Sequence, residues 1–243
     1  MIETLLNNLI YQYTYTTLFL MSFGYFIFIY FVIAPSFNGM CKLLARKKLL
    51  HKITLKEVTK KQLLFEIKHS FSSIIIFGIS IIPIVFLIRQ GTIHLLPNTV
   101  FNFVLGLLIL NLWNEVHFFI IHRILHMPFF MSKVHYIHHQ SKVPTVYSIF
   151  SFHWFEAILL STVPLTIALF IPFSFLSIAF YPITSALINY AGHCNYRFGN
   201  GSGKSWLLFG TNHNEHHYKN KNNYGFLLNV FDKLISQKNK NKL

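Results

Sequence analysis

A chain of 243 residues that is 53% hydrophobic and only 12% charged departs from soluble domains, in which roughly a quarter of residues carry charge. Its formal charge of +14 would suit nucleic acid or an anionic membrane surface. Long apolar runs such as FSSIIIFGISIIPIVFLI, with no zinc finger, basic helix or RNA-binding signature, exclude a nucleic-acid partner.

The first apolar run, residues 16–34, ends at Pro35. It has no positive segment ahead of it and is long enough to span, so it reads as a membrane helix and not as a secretory signal. Cys41, with Cys194 far along the chain, forms no CxxC pair, and both read as small buried residues. Residues 42–68 carry nine Lys or Arg, an amphipathic or interfacial stretch on the cytoplasmic side. A second run over 71–88 leads to a turn segment with Gly91 and Pro97. A third run over 99–121 turns polar at Asn111, Asn114, Glu115 and His117, and that end must face a protein interior. Two more runs, 155–171 and 173–191, are split by Ile171-Pro172-Phe173 and form a hairpin. Each arm is roughly 27 Å of helix, only just enough to span. The GNGSGKS stretch at 199–205 lacks the first glycine of a phosphate loop and any preceding strand, and reads as a plain loop.

With the amino terminus outside, twenty of the 21 basic residues fall on one side, Arg89 being the exception, and the excess of Lys and Arg makes that side cytoplasmic. The expected fold is an all-α integral membrane protein of four to five hydrophobic helices, three spans plus a hairpin, with a cytoplasmic histidine-rich helical cap. Residues 1–98 would hold the N-terminal membrane helices and the basic loop, 99–235 the histidine-bearing region, and 236–243 a polar tail.

Fourteen histidines against seven acids is an unusual ratio, and histidine is the commonest metal ligand. On a helix, residues three or four apart share a face. HRILH therefore pairs His122 with His126, HYIHH groups His135, His138 and His139, and HNEHH groups His213, His216 and His217. The stretch Asn189-Tyr-Ala-Gly-His193 adds a further pair at that spacing. One zinc ion takes four ligands, or three and water, so nine histidines imply two ions, and the absence of HExxH argues against a zinc peptidase. Imidazole alone does not choose between zinc, copper and iron; a site beneath a bilayer suits oxygen activation beside an apolar chain, which favours iron. His117, His153 and Asn189 are further candidate ligands. Glu115, Glu156 and Glu215 are candidates to accept the second ring N–H of a ligand histidine. His51, His69 and His94 have no partner at ligand spacing and read as interfacial.

HRILH, HYIHH and HNEHH, in this order and separated by a hydrophobic hairpin, resemble the fatty acid hydroxylase and sterol desaturase superfamily of integral membrane di-iron enzymes. The likeness runs over about residues 110–235 and includes Glu115, HWFE at 153–156, the element ending in His193, Asn223-Tyr224-Gly225 and Asp232. The resemblance implies that the nine histidines bind two irons, that O2 is reduced there, and that a lipid C–H bond is hydroxylated or desaturated. The sequence shows no flavin, haem or iron–sulfur motif, so electrons are expected from a separate ferredoxin, cytochrome or reductase. The compact chain looks like bacterial members, which places it in a bacterial inner membrane, or in the endoplasmic reticulum if eukaryotic. The alternative is a membrane zinc-dependent lipid hydrolase, which needs neither oxygen nor a donor. A metal transporter would instead place ionisable residues at mid-membrane, whereas these motifs sit at the edge.

Overall fold

The computed structural model describes residues 2–198, 210–220, 223–228 and 230–234. The GNGSGKS loop and the polar tail lie outside the described residues. The expectation of an all-α membrane fold holds: the structure is 72% helical, and four helices are long and apolar enough to cross a bilayer. The chain is a multi-pass membrane protein.

Helix α1 (Ile2–Tyr11) lies at one end of the bundle. There Arg89 donates from its guanidinium to the Ile10 and Tyr13 carbonyls at 2.6 Å each. Helix α2 (Tyr15–Phe28) is started by Thr14, whose hydroxyl accepts from the Thr17 N–H. It runs through a π-helical turn (Ile29–Ile33) into α3 (Ala34–Arg46) as one 32-residue apolar rod. The sequence predicts a stop at Pro35. Instead the proline sits in the first turn of α3, where its missing N–H and bulky ring follow the wider spacing of the π turn. The Tyr190 hydroxyl donates to the Ile29 carbonyl of that turn at 2.7 Å, so the irregular backbone is held from across the bundle.

After the short β1 (His51–Lys52), α4 (Lys60–Ile79) and α5 (Ile81–Arg89) form a second rod joined at Ser80. The strand β2 (Leu95–Leu96) precedes α6 (Val100–Leu125), the third span. Then come α7 (Pro128–Phe130), a π turn (Met131–His135) and two 3-10 turns (His138–Gln140 and Ser148–Phe150). The predicted hairpin has unequal arms. Its first arm is α8 (Trp154–Ser161) and α9 (Val163–Ala168), broken at Thr162 ahead of Pro164; after β3 (Phe173–Ser174), its second is α10 (Phe175–His193), the fourth long apolar helix. Strand β4 (Tyr196–Arg197) and α11 (Thr211–Lys219) complete the described elements.

Two small ladders fix the ends. β2 pairs parallel with β3, Leu95 opposite Phe173, so the hairpin tip lies beside the α5–α6 loop. β1 pairs antiparallel with β4, His51 opposite Arg197, beside the ends of α10 and α3. The hairpin therefore runs the whole depth of the bundle. Glu66 on α4, fully buried, accepts from Gln62 Nε2 (2.7 Å), Ser141 Oγ (2.7 Å) and Thr145 Oγ1 (2.5 Å), which ties the segment after HYIHH to a spanning helix.

Helix α6 packs along α10, and Gly106 lets them approach. A Cβ at that position would overlap Ser177 Oγ and stand 2.7 Å from Ser177 Cβ. Gly106→Val is expected to cost about 1–3 kcal/mol as an overpacking substitution and to lower the thermal midpoint of the detergent-solubilised protein. An unchanged midpoint would rule out this close approach.

Candidate metal centre

Four segments bring their histidines to one end of the bundle. The last turn of α6 carries His122, with His126 capping it. The 131–140 segment carries His135, His138 and His139, α10 ends on His193, and α11 carries His213, His216 and His217. HYIHH is not on a regular helix as its spacing predicts; it crosses from a π turn into a 3-10 turn. All nine come together, and they divide into two groups that could each hold a metal ion: His122, His126, His135, His139 and His216 in one, and His138, His193, His213 and His217 in the other. His126 is half-buried and the other eight are buried.

The division follows a rule. In each histidine motif the residues at i and i+4 enter the same group, while the i+3 residue of HYIHH and of HNEHH enters the other. Neighbours on α11 point about 100° apart, so His216 and His217 serve opposite groups, as His138 and His139 also do.

Nitrogen separations fit an ion better than protons. His139 Nε2 lies 3.2 Å from His126 Nε2 and 3.1 Å from His135 Nε2. His193, His213 and His217 form a triangle of Nε2 atoms with sides of 3.2, 3.3 and 3.3 Å, and His138 Nε2 is 3.5 Å from His193 Nε2. Nitrogens 2.0–2.1 Å from a common metal stand about 3.0 Å apart at a right angle and about 3.4 Å apart at a tetrahedral one. A proton on one corner of the triangle can bridge to only one of the other two.

The outer ring nitrogens show which face is offered. His122 Nδ1–H donates to the Tyr224 carbonyl at 2.9 Å and His193 Nδ1–H to the Asn189 carbonyl at 3.0 Å. His135 Nδ1 meets Glu156 Oε1 at 2.8 Å, both buried. Each bond fixes the proton on Nδ1 and turns the Nε2 lone pair inward. His122 Nε2 is buried and has no hydrogen-bond partner among the described residues. Burial, and after it the neighbouring imidazoles, holds His138, His139, His213 and His217 well below the ordinary histidine range and pushes His126 down to about 2. These rings are therefore neutral, the form that binds metal.

The predicted supporting residues have separate fates. Glu156 holds His135, and its place is set by His153, whose Nδ1 accepts the Phe155 N–H at 3.2 Å and caps α8. His153 thus serves as a cap, outside both groups. His117 also lies outside them, its Nε2 3.0 Å from Thr162 Oγ1. Asn189 contributes its carbonyl to His193, while its side-chain amide reaches the Ile149 carbonyl at 3.5 Å. Glu115 contacts no histidine of the groups. It accepts the N–H groups of Phe226, Leu227 and Leu228 at 3.0, 2.8 and 3.2 Å and so holds the loop whose Tyr224 carbonyl orients His122. Gly225 is required in that loop, since a Cβ there would overlap the Leu228 carbonyl. Glu215 corrects the expectation: it faces away from the site and pairs with Lys219 at 2.7 Å on the surface. Sequence reasoning passed over Glu66, a single acid among the Lys and His residues at the start of α4.

Two adjacent all-histidine groups at the end of four apolar spans define a membrane-embedded histidine-motif protein with room for two metal ions. The fatty acid hydroxylase family model matches residues 107–237, more than half of the chain. The chain belongs to that family of oxidoreductases, within the sterol desaturase/fatty acid hydroxylase superfamily. The match covers every histidine of both groups. No solved structure matches the chain.

Glu156→Gln is expected to weaken metal retention against a chelator by about 10–100-fold, the usual cost of losing an outer partner of a ligand histidine. Glu215→Ala should leave retention unchanged. Equal retention in Glu156→Gln and the parent would mean that packing alone orients His135.

Proposed function

We propose that the chain is a membrane oxygenase that uses O2 at two irons to hydroxylate, or to desaturate, a C–H bond of a lipid. His122, His126, His135, His139 and His216 would hold one iron, and His138, His193, His213 and His217 the other. The observation that carries this reading is the division of nine inward-facing imidazoles into two adjacent groups, in a chain of the fatty acid hydroxylase family. Imidazole suits several metals, so iron follows from the family and not from the ligand type. When bound, iron supplies the reductive activation of oxygen.

The protein's own residues supply place and exclusion. Phe152 packs against His138 at 4.9 Å between ring centroids, and Phe118 against His122 at 4.8 Å. Both rings, with Asn114, Asn189 and Phe226, line a cavity of about 100 Å³, so hydrocarbon would lie directly behind the ligand rings. On the opposite side Tyr224 packs over His126 at 4.9 Å, and the Arg123 guanidinium stands 5.2 Å from the Tyr224 ring centre. Both side chains would limit the access of water to the site. Electrons would come from a separate ferredoxin, cytochrome or reductase docking on the histidine end, and the excess of Lys and Arg in the segments there supports a cytoplasmic side. The membrane would be a bacterial inner membrane, or the endoplasmic reticulum in a eukaryote.

His138→Ala and His216→Ala are each expected to lower bound metal and to reduce lipid oxidation by about 100-fold or more, beyond the cost of losing an outer partner. His51→Ala, on exposed β1, should do neither. Lipid extracts from cells with and without the protein, grown with and without oxygen, distinguish the outcomes by mass. Gain of one oxygen supports hydroxylation, loss of two hydrogens supports desaturation, and a change independent of oxygen supports zinc-dependent hydrolysis in their place.

A further inference from the structure

Irregular points in three elements meet at one level. α4 gives way to α5 at Ser80, α8 gives way to α9 just ahead of Pro164, and α10 carries Pro182 inside its length. A proline within a helix removes a backbone hydrogen bond and crowds the preceding turn. Ser80, Pro164 and Pro182, together with Phe26 of α2, line two cavities at once. The proximal cavity, about 100 Å³, reaches from these four residues to Phe118, Phe152 and Asn189 beside the histidines. The distal one, about 270 Å³, reaches from the same four to Leu18, Met21, Phe175 and Ile178. Met21 and Phe180 on its wall are each 46% exposed, so it opens toward the bilayer.

The two cavities lie end to end. On α10 the proximal lining runs from Asn189 to Tyr181 and the distal lining from Pro182 to Phe175, about 10–12 Å of helix each. The four shared residues mark the neck between them, and among these Phe26 is 9% exposed, its ring packed at 5.3 Å from the Phe77 ring and 6.1 Å from the Phe150 ring. Ligand pockets enclose roughly 300–1,000 Å³, and the space beside the histidines is well below that. A fused-ring body has no room there, whereas a single chain gains room by threading the neck.

We infer that the site takes a long unbranched alkyl chain that passes the neck into the distal cavity, and that Phe26 determines which chains pass. This rests on the lipid-oxidising reading above. The test uses the full-length protein in membranes and, as probe, a long-chain fatty acid carrying a terminal diazirine. Photolabelling is expected on Met21, Phe175 or Ile178. Phe26→Trp should cut that labelling by about tenfold, the scale on which a pocket rejects excess methylenes, and shift oxidised products toward shorter chains at unchanged metal content. Phe26→Ala adds no bulk and should broaden the product range toward thicker chains, a result that does not depend on the tryptophan variant folding.

Labelling and chain profile unchanged in both variants would overturn the inference. So would adducts on Ile158 or Leu165, in the cleft between α4–α5 and α8–α9. If the parent protein labels in the distal cavity, with loss in Phe26→Trp, yet oxidises no lipid, the neck stands and the oxygenase reading falls. If the parent oxidises lipid and Phe26→Trp keeps the same profile, the reverse holds.

Discussion

Nine imidazole lone pairs converging on one buried volume are the constraint around which the rest of the molecule is arranged. Neutral rings whose nitrogens stand 3.1–3.5 Å apart gain little from one another, and burial forbids relieving the crowding by protonation. Two of the four contributing segments are anchored by acids from outside the groups. Glu115 holds the loop that orients His122, Glu156 holds His135, and Glu66 holds the chain that leaves HYIHH. Three of the seven acids are thus buried behind the histidines, and none lies among the metal-facing nitrogens.

Much of this site is legible in the sequence because helical spacing is a statement about direction. The i, i+4 pairs mark which rings can meet, and all nine do. The same reasoning properly applied excludes Glu215: it is two residues from His213, on the opposite face of α11, where the structure has it paired with Lys219. The division into five and four was not legible, since it depends on how four segments from distant parts of the chain are rotated against each other. Glu66 was not legible for the same reason. Its partners Ser141 and Thr145 lie 75 and 79 positions away, and only tertiary packing brings them to it.

The spans were legible by composition, and their ends were less so. Pro35 reads as a terminator, yet a π turn held by the Tyr190 hydroxyl carries the helix past it. Ser80, Pro164 and Pro182 lie far apart in the sequence, which gives no sign that they meet. In three dimensions they line, with Phe26, both the cavity beside the histidines and the larger one beyond it.

The adjacency of His138 with His139, and of His216 with His217, has a mechanical meaning. Each doublet supplies one ring to each group, so the span from one group to the other is set twice by a single peptide link, about 3.8 Å between α-carbons. Helices that part to admit a chain would change the distance between spans but not the length of those links. The chain itself therefore ties the two groups together at two points that do not depend on how the spans pack.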